Sequence, residues 1–396
     1  MNTTIVVFST AVPAIIAGCE SQTMKRTKLL ALSVCCLAVL RTLGASAASD
    51  DAATARVIEE LGLRESAVAQ RDRPGWSKPQ KVLLMGADAA RVAWMQEAAP
   101  GVKLVSAPDS ATASREAADA DALVGECVSE VIEAGKRLRW VQRMNAGVER
   151  CLAIPAFAER DIALTNMQKL AGSVMAEHVL ALVFGLTRGL AVYVPAQVKG
   201  EWADEAVPES RMQEVKGRTM LVVGLGGIGT EVASRAHALG MTVIAIRNSG
   251  TDGPSYVAEV GLPDKLLPFA ARADVIVSTL PVTPQTKGLM NKTFFDAVKR
   301  GALFVNVGRG STVVTRDLVS ALADGRLGGA GLDVTDPEPL PADHPLWRAP
   351  NVIITPHVAA SLESNDGPRW IIARENLRRY VRGDKLLSEV DLKKGY

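Results

Sequence analysis

The chain lacks the features that mark nucleic-acid-binding and membrane-spanning proteins. Its 396 residues carry a formal net charge of only +2, which gives no basic footprint for DNA or RNA. After residue 50 no apolar run is long enough to cross a bilayer. The hydrophobic content of 48% and the charged content of 22% are ordinary for a globular protein, and the length allows two domains.

Cysteine is also scarce. Of five cysteines in the chain, Cys19, Cys35 and Cys36 lie in the first 48 residues, which leaves Cys127 and Cys151 for the rest. Two cysteines make neither a disulfide framework nor a metal-ligand cluster. We therefore predict no metal site, and we predict that each of the two is a small packing residue.

The first 48 residues have the layout of a secretory signal peptide. A basic start at 24–28 precedes an apolar core at 29–40 and a small-residue cleavage pattern at 45–47. This pattern predicts a signal-like leader over 1–48, with Met24 as an alternative start. An uncleaved leader and a wrongly chosen start codon stay open as alternatives.

Strand-sized apolar runs then alternate with helical patterns in two groups. The alternation predicts two parallel α/β sheets. A long apolar-periodic helix over 171–188 joins the groups, and a helix over 371–381 closes the chain. The predicted strands are 81–86, 102–105, 122–124, 140–142 and 163–165 in the first group, and 220–223, 242–246, 275–280, 303–307, 331–334 and 352–355 in the second.

A glycine-rich turn opens the second group. The motif G-x-G-x-x-G lies between the strand 220–223 and a helical pattern over 228–239, the context that dinucleotide binding requires. Its glycines would form the tight turn, admit the pyrophosphate and let the helix pack on the strand, and the first helical amides would bind the phosphates. The alternative is a tight turn in another α/β sheet. The residues concerned are Gly224, Gly226, Gly227, Ile228 and Gly229.

The end of the next strand favours one dinucleotide. An NAD site usually has Asp or Glu there to accept from the ribose 2′-OH, but this chain has Arg247, followed by Asn248 and Ser249. A guanidinium cannot accept that hydrogen bond, whereas it can pair with a 2′-phosphate. We predict NADP as the preferred cofactor and NAD as the second choice. A solvated arginine is the alternative interpretation.

Three later loops each supply a chemical group at the carboxyl end of a strand. Arg309 lies between two glycines and can hold a carboxylate with two hydrogen bonds. Glu338 lies in a proline-rich loop, and His357 directly follows a strand. A histidine beside a carboxylate is the usual general acid/base near neutral pH.

These motifs together resemble the D-isomer-specific 2-hydroxyacid dehydrogenases, over about residues 80–385. The segments that carry the resemblance are LRWVQRMNAGVER (138–150), TNMQKLAGSVMAEHVLAL (165–182), VVGLGGIG (222–229), STLPVTPQTKGLMN (278–291), FVNVGRGSTV (304–313), GLDVTDPEPLPADHPLW (331–347) and NVIITPHVA (351–359). The resemblance implies two doubly wound parallel-sheet domains, with a Rossmann cofactor domain inserted into a flavodoxin-like substrate domain. The predicted boundaries are a leader at 1–48, a linker or arm at 49–79, a substrate domain at 80–187 and 356–396, and an NAD(P)-binding domain at 188–355.

The resemblance also assigns roles. It implies that Arg309 orients a 2-oxo acid, that His357 donates a proton to its 2-oxo oxygen, and that Glu338 keeps the imidazole protonated. The backbone amides of Asn145, Ala146, Gly147 and Val148 match the loop that meets the substrate carboxylate. The remaining cofactor positions by the same match are Leu280, Pro281, Thr286, Val307, Gly308 and Asp333. Glu149 departs from the pattern, because Asp is frequent there.

The predicted function is the reduction of a small 2-oxo acid, similar to glyoxylate or hydroxypyruvate, by NADPH to the D-2-hydroxy acid. The alternative is a dinucleotide-sensing binding or regulatory protein on the same fold. The resemblance implies a homodimer. The predicted binding partner is a small 2-oxo or 2-hydroxy acid. No nucleic-acid partner is predicted, and no membrane contact is predicted except through the signal-like leader. The cofactor favours the cytoplasm, whereas the leader favours export to the periplasm, so both locations stay open.

Overall fold

The structure is a computed structural model that describes residues 51–208, 212–362 and 365–396. The predicted leader and its three cysteines lie outside the described residues. Helix α1 covers 51–60, and residues 56–396 form one compact body.

The first sheet has five parallel strands in the order β2-β1-β3-β4-β5. This is the flavodoxin-like order 2-1-3-4-5, so the sequence prediction for this sheet is confirmed. Most of its strands are buried because helices cover both faces of the sheet, whereas the edge strand β2 is only partly buried. The elements are β1 (Lys81–Met85), α2 (Ala89–Gln96), β2 (Lys103–Ala107), α3 (Ser110–Ala117), β3 (Ala122–Gly125), α4 (Ser129–Ala134), β4 (Trp140–Arg143), α5 (Glu149–Leu152), α6 (Ala156–Glu159) and β5 (Ala163–Thr165).

The second sheet has seven parallel strands in the order β12-β11-β10-β9-β6-β7-β8. Counted from β6, this is the Rossmann order 3-2-1-4-5-6 with one further strand at the edge, which confirms the predicted fold class. The elements are β6 (Thr219–Val223), α9 (Gly227–Ala238), β7 (Thr242–Ile246), β8 (Glu259–Gly261), α10 (Leu266–Ala270), β9 (Val275–Ser278), α11 (Lys292–Ala297), β10 (Ala302–Asn306), α12 (Thr315–Ala323), β11 (Leu327–Leu332) and β12 (Val352–Ile354).

Two details of the second sheet differ from the sequence prediction. Strand β8 was missed, because its three residues form an edge strand too short to show a pattern. Strand β11 begins at Leu327, four residues before the predicted start. Its sequence LGGAGL is rich in glycine, which strands usually avoid, and glycine is needed here because close packing leaves no room for larger side chains. A Cβ on Gly331, for example, would lie 2.9 Å from Cβ of Leu182.

Two helices link the sheets, α7 (Gly172–Thr187) and α8 (Leu190–Lys199). Helix α7 buries Ala176, Val179 and Val183 against one face of the seven-stranded sheet and packs along α9. Packing therefore groups α7 with the second sheet, whereas the predicted boundary at residue 187 placed it in the substrate domain. The strong apolar character of α7 identified the helix correctly but did not show which sheet it covers.

The chain then returns to the first sheet. Helix α13 (Asp366–Arg382) starts five residues earlier than predicted and packs on the first sheet through Trp370, Leu377 and Tyr380. The segment predicted as a linker or arm is tied to this C-terminal region: the amide of Ser66 donates to Leu386 O at 2.7 Å. Helix α13 and the segment around Ser66 therefore pack with the first sheet.

Cys127 and Cys151 form a disulfide, so the prediction that each is an isolated packing residue was wrong. Cys127 follows β3, and Cys151 lies in α5. Their Cα atoms are 5.2 Å apart because both elements pack on the same face of the first sheet. A separation of 24 residues contains no signal for this pairing, which only the tertiary packing produces.

No single helix within the described ranges is long and apolar enough to span a membrane. Helices α7 and α8 reach the required length and composition only as a pair, and they are bent by 74° at their junction.

Candidate active site

His357 and Glu338 form a hydrogen-bonded pair. Nδ1 of His357 lies 2.7 Å from Oε1 of Glu338, and both side chains are about half exposed. Glu338 belongs to the proline-rich loop after β11, and His357 follows β12. His357 adopts a φ of +54°, a left-handed conformation that costs free energy for a residue with a side chain. The surrounding contacts therefore hold this imidazole in place.

Those contacts converge on Asp333, whose side chain is only 1% exposed. Its Oδ1 accepts hydrogen bonds from Thr355 Oγ1 at 2.6 Å and from the amide of Val358 at 2.9 Å. Its Oδ2 accepts from the amide of Ala359 at 3.0 Å. Nε2 of His178 lies 2.9 Å from Thr355 Oγ1 and extends this hydrogen-bond network. The hydrogen bonds of the buried Asp333 carboxylate thus hold the loop that carries His357 in place.

Arg309 lies at the end of a tight loop after β10. The buried side chain of Asn306 donates to Arg309 O at 3.1 Å and accepts from the amide of Gly308 at 3.1 Å. Gly310 packs so closely on the loop that carries Glu338 that a Cβ there would lie 1.9 Å from Thr335 O. Only glycine fits at that position, and it allows the loops that carry Arg309 and Glu338 to pack directly on each other.

The loop 145–148 contacts Arg309, since a Cβ on Gly147 would lie 2.2 Å from Nη2 of that residue. The carbonyl groups of the loop already accept hydrogen bonds. The amide of Met167 donates to Asn145 O, and Nδ2 of Asn166 donates to Ala146 O. Gly147 O accepts from Nε of Arg143 at 3.3 Å. Among the described residues, no acceptor takes the amides of residues 146–148. They are therefore available to an anion.

Further charged residues surround this loop. Arg143 is buried at the end of β4, and burial lowers the pKa of its guanidinium, with a smaller contribution in the same direction from the charge of Arg150. Arg143 forms an ion pair with Glu126, which also accepts from Nδ2 of Asn145. Glu149, the first residue of α5, pairs with Arg309, with Nε 2.9 Å from Oε1. In the sequence Glu149 was noted only as a departure from the family pattern and Glu126 was not named, because neither ion pair leaves a local signal there.

The glycine-rich turn lies at the carboxyl end of β6. A Cβ on Gly229 would lie 2.0 Å from Gly224 O, so only glycine allows α9 to approach the turn this closely. At Gly226 a Cβ would meet nothing within 4 Å, which leaves open space beside the start of the helix. Within the described part of the chain, the amides of residues 227–229 have no hydrogen-bond acceptor. The turn has the shape and the donors of a phosphate cradle.

Arg247 follows β7 beside this cradle. Its Nε donates to Ser249 Oγ at 2.8 Å and its Nη1 to Asp252 O at 2.9 Å. These bonds hold the guanidinium on the loop, next to the exposed Asn248 and Ser249. The guanidinium of Arg247 can bind a phosphate, whereas it cannot accept a hydrogen bond from a ribose 2′-OH.

The remaining predicted cofactor positions line the loops after β9 and β10. Gly308 packs on Leu280, where a Cβ would lie 2.5 Å from Leu280 O. Thr286 Oγ1 donates to Pro281 O at 2.7 Å and closes the loop after β9. Val307 is buried beneath these loops. The structure therefore brings the predicted positions to one edge of the second sheet.

Comparisons with known proteins agree with this arrangement. A family model described as "D-isomer specific 2-hydroxyacid dehydrogenase, NAD binding domain" matches residues 180–359. The human glyoxylate reductase/hydroxypyruvate reductase is 32% identical over 264 residues, which cover 65% of this chain and 79% of that protein. The chain belongs to the D-isomer specific 2-hydroxyacid dehydrogenase family.

Solved structures support the same assignment. A D-isomer specific 2-hydroxyacid dehydrogenase family protein from Aeromonas salmonicida is 33% identical, with a TM-score of 0.68, over 80% of this chain and 100% of that one. An NADPH-dependent glyoxylate/hydroxypyruvate reductase from Sinorhizobium meliloti, in complex with NADP and sulfate, is 28% identical, with a TM-score of 0.68 and coverage of 80% and 100%.

Family membership settles the class of reaction. This D-2-hydroxyacid dehydrogenase is an NAD(P)-dependent oxidoreductase that transfers a hydride between a nicotinamide and a small 2-oxo or 2-hydroxy acid. The predicted enzyme class is confirmed, and the alternative of a binding or regulatory protein gains no support. The cofactor class, NADP or NAD, is confirmed as well.

Proposed function

We propose that this dehydrogenase reduces a small 2-oxo acid of the glyoxylate or hydroxypyruvate type to the D-2-hydroxy acid, with NADPH as the preferred donor. The observation that carries the proposal is the 2.7 Å contact between His357 and Glu338, in a loop cluster that also holds Arg309. The names of the human and Sinorhizobium relatives support the substrate class.

In this proposal Arg309 binds the substrate through its carboxylate and 2-oxo oxygen. A guanidinium can bind two oxygens at once, which orients the acid as well as attracting it. The free amides of loop 145–148 bind the same carboxylate from the first domain. His357 donates a proton to the 2-oxo oxygen through Nε2, because its Nδ1 is engaged by Glu338. Glu338 thereby fixes the orientation of the ring.

The cofactor would lie along the edge of the second sheet. NADPH supplies the hydride that reduces C2, and the protein determines where it arrives. The amides at the start of α9 and the open space at Gly226 fit its pyrophosphate, and Arg247, Asn248 and Ser249 fit its 2′-phosphate. Leu280, Pro281, Thr286, Val307 and Gly308 would border the nicotinamide half. Asp333 would support that half indirectly, since its buried carboxylate already holds the loop of His357.

We also propose that the enzyme is a homodimer that pairs through α8. Leu190, Val194 and Val198 recur every four residues on this helix and are exposed, and Trp202 just beyond it is 92% exposed. A contiguous apolar stripe of this kind is the usual mark of a protein interface. The occupant that this surface fits is the same stripe on a second copy of the chain.

For the location of the protein, the Cys127–Cys151 disulfide favours the export alternative. Disulfides persist in oxidising compartments and are rare in the cytosol. N-terminal sequencing of the mature protein, recovered separately from cytoplasmic and periplasmic fractions, tests this proposal. A start near Ala48 in the periplasmic fraction supports export, and recovery of an intact leader in the cytoplasm contradicts it.

The test of the function is the oxidation of NADPH and of NADH by the protein lacking residues 1–47. Glyoxylate, hydroxypyruvate and pyruvate would serve as oxidants, with each cofactor titrated separately. We expect turnover with glyoxylate or hydroxypyruvate and a kcat/KM for NADPH at least tenfold above that for NADH. Tight cofactor binding without turnover on any of these acids would contradict the proposed substrate class.

A further inference from the structure

The guanidinium of Arg309 is held along one edge by Glu149. Nε of Arg309 lies 2.9 Å from Glu149 Oε1, and Nη2 lies 3.4 Å from Oε2. Nη1 donates to the carbonyl oxygen of Gly308 at 2.8 Å. A guanidinium has five N–H donors in one plane, so these contacts leave donors on the edge formed by Nη1 and Nη2.

The backbone brings this pair to the loop 145–148. Glu149 immediately follows that loop as the first residue of α5. A Cβ on Gly147 would lie 2.2 Å from Nη2 of Arg309 and 2.9 Å from Oε2 of Glu149, so the loop and the ion pair are in contact. The remaining donors of Arg309 therefore lie beside the loop whose amides are free.

We propose that Glu149 is a positioning residue for the reaction, and this inference rests on the proposed function of the site. The carboxylate occupies the Nε and Nη2 edge of Arg309 and so fixes the rotation of its guanidinium. The edge that remains then faces the carboxylate and 2-oxo oxygen of the substrate. A flexible arginine would lose this orientation each time the substrate leaves, and each binding event would cost additional ordering entropy.

Two other roles for Glu149 make different predictions. A competitor role would have its carboxylate occupy the place of the substrate carboxylate, so that its removal would tighten substrate binding. A purely structural role would have its charge stabilise the start of α5, as an acid in a first helical turn does. Glu130 lies exposed in the first turn of α4 in the same domain and offers a matched control for that effect.

The experiment compares Glu149→Ala, Glu149→Asp and Glu130→Ala with the wild-type chain. The readouts are KM for glyoxylate, KM for NADPH, and the Kd of oxamate, a 2-oxo acid mimic, in the presence of NADPH. We expect Glu149→Ala to raise the glyoxylate KM and the oxamate Kd about tenfold or more, as expected for the loss of a charged hydrogen bond. KM for NADPH should change less than twofold. Glu149→Asp should recover part of the loss, and Glu130→Ala should behave as wild type.

A double-mutant cycle shows whether Glu149 acts through Arg309. In an Arg309→Ala background, the further change Glu149→Ala should alter the oxamate Kd less than twofold. Equal effects in both backgrounds, or tighter oxamate binding by Glu149→Ala, would overturn the inference. The wild-type assay is separate: an absence of turnover with 2-oxo acids would refute the proposed function, whereas the oxamate measurements would still decide the role of Glu149.

Discussion

Asp333 holds the loop that carries His357: the amide of His357 donates to Asp333 O at 2.8 Å, and the carboxylate of Asp333 accepts from the two amides that follow. Thr355 Oγ1 adds a fourth hydrogen bond at 2.6 Å. These bonds hold His357 in a left-handed backbone conformation that it would otherwise rarely adopt. The position of the proposed proton donor thus depends on a residue buried beneath it.

The first prediction concerns this support. Asp333→Asn would direct an NH₂ group at one of the backbone amides and leave that amide unsatisfied in the interior. We expect a loss of about 1–3 kcal/mol in the free energy of unfolding and a fall in kcat of at least about tenfold. Asp336→Asn, in the same loop but exposed, is the control and should change neither quantity. Urea denaturation and steady-state kinetics measure both effects, and unchanged kcat in Asp333→Asn would contradict this account.

The second prediction concerns the proton donor itself. His357→Ala should lower kcat by about 10²-fold or more, since the 2-oxo oxygen then lacks a positioned acid. Glu338→Gln keeps the shape of the side chain and removes its charge, so its loss should be smaller. NADPH binding, followed by fluorescence, should stay within twofold of wild type in both variants. Near-normal turnover of His357→Ala would remove the imidazole from the mechanism.

The third prediction concerns cofactor choice. Replacing Arg247 with Asp places a carboxylate where the 2′-phosphate of NADP would bind, and it supplies the acceptor that a ribose 2′-OH prefers. We expect the ratio of kcat/KM for NADPH to that for NADH to fall at least about 100-fold. Arg316→Asp makes the same change of charge on the exposed start of α12 and should leave the ratio unchanged. A ratio that survives Arg247→Asp would show that cofactor choice is set elsewhere.

The sequence allowed the two sheets, the glycine-rich turn and the loops of Arg309, Glu338 and His357 to be predicted, because buried parallel strands and strand-end loops leave local patterns. The distance between the side chains of His357 and Glu338 could not be predicted in this way. The two residues are 19 positions apart, and only the packing of two loops brings their side chains together. The spacing of the two residues along the chain carries no geometry of its own.

Other features left no local signal. The pairing of Glu149 with Arg309 joins residues 160 positions apart and depends on how the first sheet faces the second. The disulfide was not predicted, because two cysteines 24 residues apart are equally compatible with separate packing roles. The start of strand β11 was predicted four residues too late, because its glycines weaken the local strand pattern and pairing with the neighbouring strands decides where it begins. In each case tertiary contacts decide what local propensity leaves open.

The fourth prediction concerns the proposed dimer. Val198 is 83% exposed on the apolar stripe of α8, so Val198→Glu should cost little in an isolated chain and should disrupt an interface that buries it. We expect sedimentation velocity to show a dimer for wild type and a monomer for Val198→Glu. Lys199→Glu changes the charge on the same helix about 100° around its axis from Val198 and should remain dimeric. A monomeric wild-type protein would refute the proposed assembly.

The fifth prediction concerns the Cys127–Cys151 disulfide. It closes a loop with a sequence separation of 24 residues, for which the chain-entropy model gives a stabilisation of about 3.5 kcal/mol. The double variant Cys127→Ser with Cys151→Ser should therefore unfold at lower urea concentration than the oxidised wild type. Reduction by dithiothreitol should shift the wild-type midpoint toward that of the variant and leave the variant itself unaffected.

The same bond has a consequence for the site. Cys151 lies in α5, two residues after Glu149, and Cys127 directly follows Glu126. Opening the bond would free two segments that border the loop 145–148, so we expect KM for the 2-oxo acid to rise while KM for NADPH stays constant. Identical urea midpoints with and without reductant would show that the bond contributes nothing to stability. An unchanged substrate KM would show that ion pairs and packing alone fix the loop.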